Sequence, residues 1–274
     1  MLMLAVTACY TITSLSDKHV VGTAKFTGDE FTFLLCSSMS VFLMFSLPFQ
    51  RIYVQMSWQA ATSIILVVIL KMLEFQMSAC VLRHLSAFEL KAWLGVTLFV
   101  SYLTDVFFGA SLQVYKIGYI ALTVLGLFFI VKSTKEHKID YRKIFLPLFL
   151  YLFSKFSYGL VIKGFTPYVS SGLQITIAMI IISLVLIPRI SIRQTIKRNP
   201  KVVWNVILAR IPNTVGMLLE NVIISISLTN YSFIQPMILV SLFIIGFVDR
   251  EKRTKLNFVG SVLCMIGIVL FQIL

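Results

Sequence analysis

Apolar residues along this chain come in long runs, separated by short stretches that carry most of the charge. A run such as AMIIISLVLI (178–187) is oily at nearly every position. It shows neither the alternation of a half-buried strand nor the one-sided stripe of a soluble amphipathic helix. A helix needs roughly 20 apolar residues to cross a hydrocarbon core of about 30 Å. Against that length the pattern predicts an all-α membrane protein of about ten transmembrane helices, at 2–16, 31–49, 58–82, 88–107, 117–131, 144–162, 168–188, 202–228, 231–248 and 256–274. No polar block between them is long enough to fold alone, so 1–274 is expected to form a single membrane domain.

Composition sharpens this reading. The 274 residues are 58% hydrophobic and 13% charged, with a mean hydropathy of +0.93, whereas soluble domains are roughly 45–50% apolar. The net charge of +13 would suit a nucleic-acid partner only if the basic residues formed a continuous face with interleaved aromatics, and they lie instead in short loops. No nucleic acid is expected. The loops after the first, third, fifth, seventh and ninth runs hold most of the 24 Lys and Arg, while the other loops hold Arg51, Lys116 and Lys163. By the positive-inside rule this places the basic loops in the cytosol and both termini outside, in a multi-pass protein of the plasma membrane. Three basic residues, Lys71, Lys155 and Arg210, fall inside runs.

Several chemistries have no signature here. Cys9, Cys36, Cys80 and Cys264 each sit in an apolar run without a CxxC or a nearby His, so neither a metal site nor a disulfide framework is expected. There is no Gly-rich phosphate loop, HExxH or GxSxG, and His19, His84 and His137 are read as loop residues without ligand spacing. Neither an enzyme nor a cofactor is expected. The opening MLMLAVTACY lacks a basic n-region and a small-residue cleavage site, and is read as a retained first span.

The two halves of the chain repeat. A constant offset of 146 residues sets EFQMSACVLRHLSAFELKAW (74–93) against ENVIISISLTNYSFIQPMIL (220–239), pairing Glu74 with Glu220, Leu82 with Leu228 and Ser86 with Ser232. After a four-residue gap Gly118 pairs with Gly260. The expected division is a first repeat over about 1–131, a basic connecting loop at 132–143 and a second repeat over about 144–274. Five spans per repeat is an odd number, so the two five-helix repeats must insert in opposite senses, as in many secondary transporters. Glu74 and Glu220 each lie eight residues from the end of their run, roughly 12 Å in, from opposite faces. In a core of about 30 Å their carboxyls differ in depth by only about 6 Å.

The segment SLTNYSFIQPMILVSLFIIGFVDREKRTKLNFVGSVLCMIGIVLF (227–271) resembles the end of EamA-like members of the drug/metabolite transporter superfamily. There a small-residue turn leads to a Pro in the ninth span, an acidic and basic loop, and a Gly-led tenth span. Pro236, Glu251, Gly260 and Gly267 match that pattern; the first half is a looser copy, with Gly118 matching and Leu90 where Pro would stand. The resemblance implies ten spans in two inverted halves and cytosolic termini, the opposite of what the loop charges indicate.

Six ionisable residues fall inside the expected spans: Lys71, Glu74, Asp105, Lys155, Arg210 and Glu220. Each is costly near a bilayer centre, about 2.5–3.5 kcal/mol on insertion scales, and such groups face a cavity or a partner. Lys71 and Glu74, three apart, either neutralise each other or join a site. Glu220 has no basic residue three or four positions away, so its partner must come from another helix, from solvent, from a proton or from substrate, and Lys155 is one candidate. Glu74, Lys155 and Glu220 are expected to line a central site in which a carboxyl binds a cationic group or exchanges a proton. Arg210 lies beside Pro212 and Gly216, which are expected to kink the eighth span, and either lines the cavity or satisfies freed carbonyls. Asp105, near a run's end, is read as interfacial. Tyr102, Tyr151, Phe156, Tyr158 and Trp204 either cage an amine by cation–π contact or pack and face lipid. The expected function is gradient-driven transport of a small amino-acid-like or amphoteric metabolite, with protons as a coupling ion and the lipid bilayer as surroundings. An organic cation such as choline is the narrower alternative, and a scaffold or enzyme of lipid or cell-envelope assembly the alternative of another class.

Overall fold

The computed structural model describes residues 1–23, 26–82, 84, 90, 93–95, 97–133, 141–248 and 255–273. The fold is all-helical, and among the described residues the one β contact is an isolated antiparallel bridge between Val54 and Val169. The long helices are α1 (Leu2–Thr23), α2 (Gly28–Ser46), α3 (Trp58–Leu82), α4 (Thr97–Phe107), α5 (Val114–Ser133), α6 (Tyr141–Phe165), α7 (Ser171–Leu186), α8 (Pro200–Ile226), α9 (Leu228–Val248) and α10 (Lys255–Ile273). A short helix, Ile192–Arg198, precedes α8.

Five helical segments are long and apolar enough to cross a membrane: Gly28–Phe49, Trp58–Leu82, Ile144–Phe165, Ser171–Arg189 and Pro200–Ile226. Shorter apolar helices lie at Leu2–Asp17, Trp93–Phe107, Val114–Phe129 and Phe258–Phe271. The protein is therefore a membrane protein, and the large apolar side chains exposed along these helices suit contact with lipid. Phe145, Phe149 and Phe153 illustrate this: they stack at i, i+4 spacing along the outer face of α6, each more than half exposed.

Helix ends depart from the apolar runs where polar residues do helical work. The expected second run starts at 31, but α2 begins at Gly28 because Thr27 and Glu30 form a capping box: the Glu30 amide donates to the Thr27 hydroxyl at 3.2 Å and the Thr27 amide to the Glu30 carboxylate at 2.8 Å. α1 runs on to Thr23, well past the expected end at 16, and so takes in the position of His19, read from sequence as a loop residue. At the other end of α2, Pro48 falls in a tight 3-10 turn, Leu47–Phe49, and Pro188 does the same after α7. The break between the eighth and ninth helices is a single extended residue, Ser227. Arg83, Ser86, Lys91, Glu251 and residues 134–140 of the connecting loop lie outside the described residues.

Packing pairs helices across the two halves of the chain. α3 lies along α6, α1 along α8, α2 against α7 and α5 along α10, with α2 also touching α8 and α3 touching α7. The α5–α10 contact is backbone on backbone: a Cβ at Gly126 would stand 2.6 Å from the Cys264 nitrogen and the Gly260 carbonyl oxygen, and one at Gly267 2.8 Å from the Tyr119 carbonyl oxygen. Small residues at both places let the helices approach this closely. Buried apolar residues gather in one large cluster from Val6 through Tyr158 and Met217 to Leu242, a second around Leu98, Phe233 and Phe271, and a third around Val81, Leu94 and Tyr151. On α3 the large cluster holds Val67 and the third holds Val81; on α6 they hold Tyr158 and Tyr151. Lys71 and Glu74 of α3 and Lys155 of α6 lie in that gap.

Candidate functional site

The buried residues of α3, at 60, 63, 67, 70, 71, 74 and 81, follow the three-to-four spacing of one helix face. Lys71 and Glu74 therefore point inward, not to lipid, and both are buried, as is Glu220. On α6 the same face carries Tyr151, Ser154, Lys155 and Tyr158.

These side chains meet. Lys71 Nζ lies 2.8 Å from Glu74 Oε2, Lys155 Nζ lies 3.3 Å from Glu74 Oε1, and the same ammonium lies 3.3 Å from Glu220 Oε1. The Tyr10 hydroxyl of α1 donates to the other oxygen of Glu220. The result is one line of alternating charge, Lys71–Glu74–Lys155–Glu220, closed by a tyrosine. Two cations and two anions sum to zero, so the cluster sits in the protein's interior without a net charge to neutralise.

Aromatic rings surround the ammonium groups. Lys71 Nζ stands 3.6 Å from the centroid of the Tyr158 ring, and Lys155 Nζ 5.6 Å from that of Tyr231. The Tyr231 hydroxyl donates to the Lys155 carbonyl at 3.1 Å, and the Tyr158 hydroxyl to Asn221 Oδ1 at 2.6 Å. The Asn221 amide nitrogen has no hydrogen-bond partner among the described residues, although the residue is 1% exposed. Gly216, one turn before Glu220, makes room for Tyr10: a Cβ there would lie 2.9 Å from the Tyr10 ring.

Of the residues singled out in the sequence, the structure thus brings together Lys71, Glu74, Lys155, Glu220 and Tyr158. It separates three others. Trp204 is 60% exposed on α8, off the buried face that carries Val203, Val206, Arg210 and Glu220. Tyr102 is buried elsewhere: its hydroxyl donates to the Gln113 carbonyl at 3.0 Å and accepts from the Gln113 amide at 2.8 Å, and its ring meets Phe271 edge-on. Arg210 pairs with Asp17 of α1 and donates from Nε to the Val206 carbonyl at 3.3 Å, ten residues and about 15 Å along α8 from Glu220. Pro212 and Gly216 lie within a helix that is continuous from Pro200 to Ile226.

Asp105, near the end of α4, is buried among protein groups. It is 6% exposed, with Lys163 Nζ at 2.5 Å, and accepts from the Leu228 amide at 3.1 Å and from the Thr229 amide, Thr229 hydroxyl and Ser227 hydroxyl, each at 2.8 Å. A carboxylate from α4 thereby caps the start of α9, where unpaired amides and the helix dipole favour negative charge. Sequence reasoning also missed Tyr10, whose position in an apolar run carries no local sign of its distant partner.

No family model and no curated protein matches the chain. A protein of known crystal structure shares its fold, with a TM-score of 0.66 over 99% of this chain and 98% of its own, at 11% sequence identity. At that identity the likeness is one of fold alone.

Proposed function

We propose that the chain is a secondary active transporter of a small amino-acid-like or amphoteric metabolite, working by alternating access around the Lys71–Glu74–Lys155–Glu220 line. The carrying observation is that this line is built across the halves, from α3 of one and α6 and α8 of the other, with Tyr10 of α1 completing it. Residues with opposite charges on separate halves can exchange partners when the halves rock, whereas a purely structural ion pair needs no such division.

The packing supports two inverted five-helix repeats over ten spans. Exchanging the halves maps the α3–α6 contact onto α8–α1 and α2–α8 onto α7–α3, while α2–α7, α4–α9 and α5–α10 map onto themselves. Contacts of this kind are expected of two-fold related repeats, and they agree with the EamA-like resemblance of residues 227–271. A plasma-membrane location, with protons as a coupling ion, belongs to the same reading. The Tyr158 ring below an ammonium favours an organic cation as the second choice of substrate.

The test is exchange of radiolabelled amino acids by purified protein in sealed vesicles preloaded with unlabelled compound. The transporter reading expects saturable exchange, lowered at least about ten-fold by Glu220→Gln in protein that still elutes as a folded species. Absence of exchange for every amino acid and amine tried would remove this reading and favour a scaffold or an enzyme of envelope assembly.

A further inference from the structure

The four charges are not held alike. Lys71 is 2.8 Å from one carboxylate and 3.6 Å above a ring, and its side chain is 1% exposed. Lys155 is shared between two carboxylates at 3.3 Å each, and at 11% its side chain is the most exposed of the four. If the Lys155 ammonium swings away, neither carboxylate is left bare: Glu74 keeps Lys71 and Glu220 keeps the Tyr10 hydroxyl. What is lost is one positive charge between two negative ones. A lysine stem has four rotatable carbons and a compact, freely turning head, so it can leave and return without rebuilding a helix.

We infer that the Lys155 ammonium holds the place of a substrate's ammonium: a zwitterionic compound displaces it from between Glu74 and Glu220 and takes Lys155 as the partner of its own carboxylate. The inference rests on the transporter reading and deepens it. Charge decides the chemistry. The empty line is neutral, and a zwitterion leaves it neutral, with every charge paired. A simple amine would strand the displaced Lys155, and a simple carboxylate would have to compete with Glu74 and Glu220 for it. The Asn221 amide nitrogen supplies the second observation: next to Glu220 in sequence and sharing Tyr158 with the cluster, it is a buried donor with no acceptor among the described residues. A carboxylate oxygen suits it. Lys155 is thus the residue that sets zwitterion against cation, and the bound substrate itself adds no net charge to the line.

The experiment measures binding to full-length protein in detergent by thermal shift and by direct titration. Its probes are alanine, leucine and phenylalanine, each with the amine lacking the carboxyl and the acid lacking the amino group. Wild type is expected to prefer the zwitterion on the order of 100-fold over either relative, the scale set by one unpaired charge inside a membrane protein. Lys155→Met leaves Lys71 facing two carboxylates, a net charge of −1, and is expected to reverse the order so that the amine binds best. The paired replacement of Lys155 by Met and Glu220 by Gln restores neutrality around Lys71 and Glu74, guards against failure of the single variant to fold, and is expected to lose the zwitterion preference. Retention of that preference in either variant overturns the inference while leaving the transporter reading in place. Failure of every probe to bind or exchange in wild type overturns both.

Discussion

At Glu220 three groups meet in the protein interior: a carboxylate, the Lys155 ammonium and the Tyr10 hydroxyl. Removing one member of a buried pair costs about 3–5 kcal/mol because the other is left charged and unpaired, whereas replacing both by apolar residues is close to neutral. Glu220→Met is therefore expected to lower the melting temperature in detergent strongly, and adding Lys155→Met to recover most of the loss. Additive losses would show that the two side chains do not compensate each other. Tyr10→Phe removes one hydrogen bond to a charged acceptor and should cost about 1.5–3 kcal/mol by the same measurement. Of the tyrosines around the charges, Tyr158 is among the aromatic candidates of the sequence, but Tyr10 and Tyr231 do not announce themselves in the chain. Tyr10 is one of 10 tyrosines, and its link to Glu220 spans 210 positions.

Helix packing is where apolar runs say least. They located the long helices because length and hydropathy depend only on neighbours in sequence, but a run that is oily all round does not declare which side meets protein and which meets lipid. Trp204 and Tyr158 both looked like aromatic lining; one faces outward and the other lies under Lys71. The exceptions are the polar positions, which is why Lys71, Glu74, Lys155 and Glu220 were legible and their surroundings were not. Glycine contacts yield a direct test of the α5–α10 packing. Gly126→Ala would put a methyl group 2.6 Å from the α10 backbone and should cost about 1–3 kcal/mol, whereas Gly118→Ala, with open space around it, should stay within about 0.5 kcal/mol of wild type. Equal melting temperatures for the two would contradict the close approach. Asp105 supports the start of α9 from a different helix, so Asp105→Ala is expected to speed amide exchange at residues 228–231 by ten-fold or more, on the order of 1.4 kcal/mol, measured by mass spectrometry.

For the whole molecule, the halves are tied at one face by backbone as well as by side chains. The Gln55 amide donates to the Tyr168 carbonyl at 2.8 Å and the Ser170 amide to the Tyr53 carbonyl at 3.0 Å, joining the α2–α3 connection to the α6–α7 connection. Asp105 and Lys163 join the halves at 2.5 Å, near the same ends of their helices. On the proposed alternating-access cycle one of the two faces opens in turn, and these ties would break in each cycle. Val54→Cys with Val169→Cys, directly opposite across the bridge, should form a disulfide that stops exchange in vesicles, and a reducing agent should restore it. Undiminished exchange in the oxidised form would place the moving parts elsewhere.

The order in which these partners are made has its own consequence. A ribosome delivers α3 with Lys71 and Glu74 already opposed on one helix, a self-neutralised segment at the translocon. Lys155 emerges 81 residues after Glu74, its partner. Glu220 follows when both Lys155 and Tyr10 exist to receive it, Arg210 after Asp17, and Lys163 after Asp105. Lys155, Arg210 and Glu220 thus each enter the bilayer behind a residue that compensates them, whereas Asp105 is synthesised 58 residues before Lys163; the nascent chain never has to hold Glu220 or Arg210 in lipid without a counterpart already synthesised.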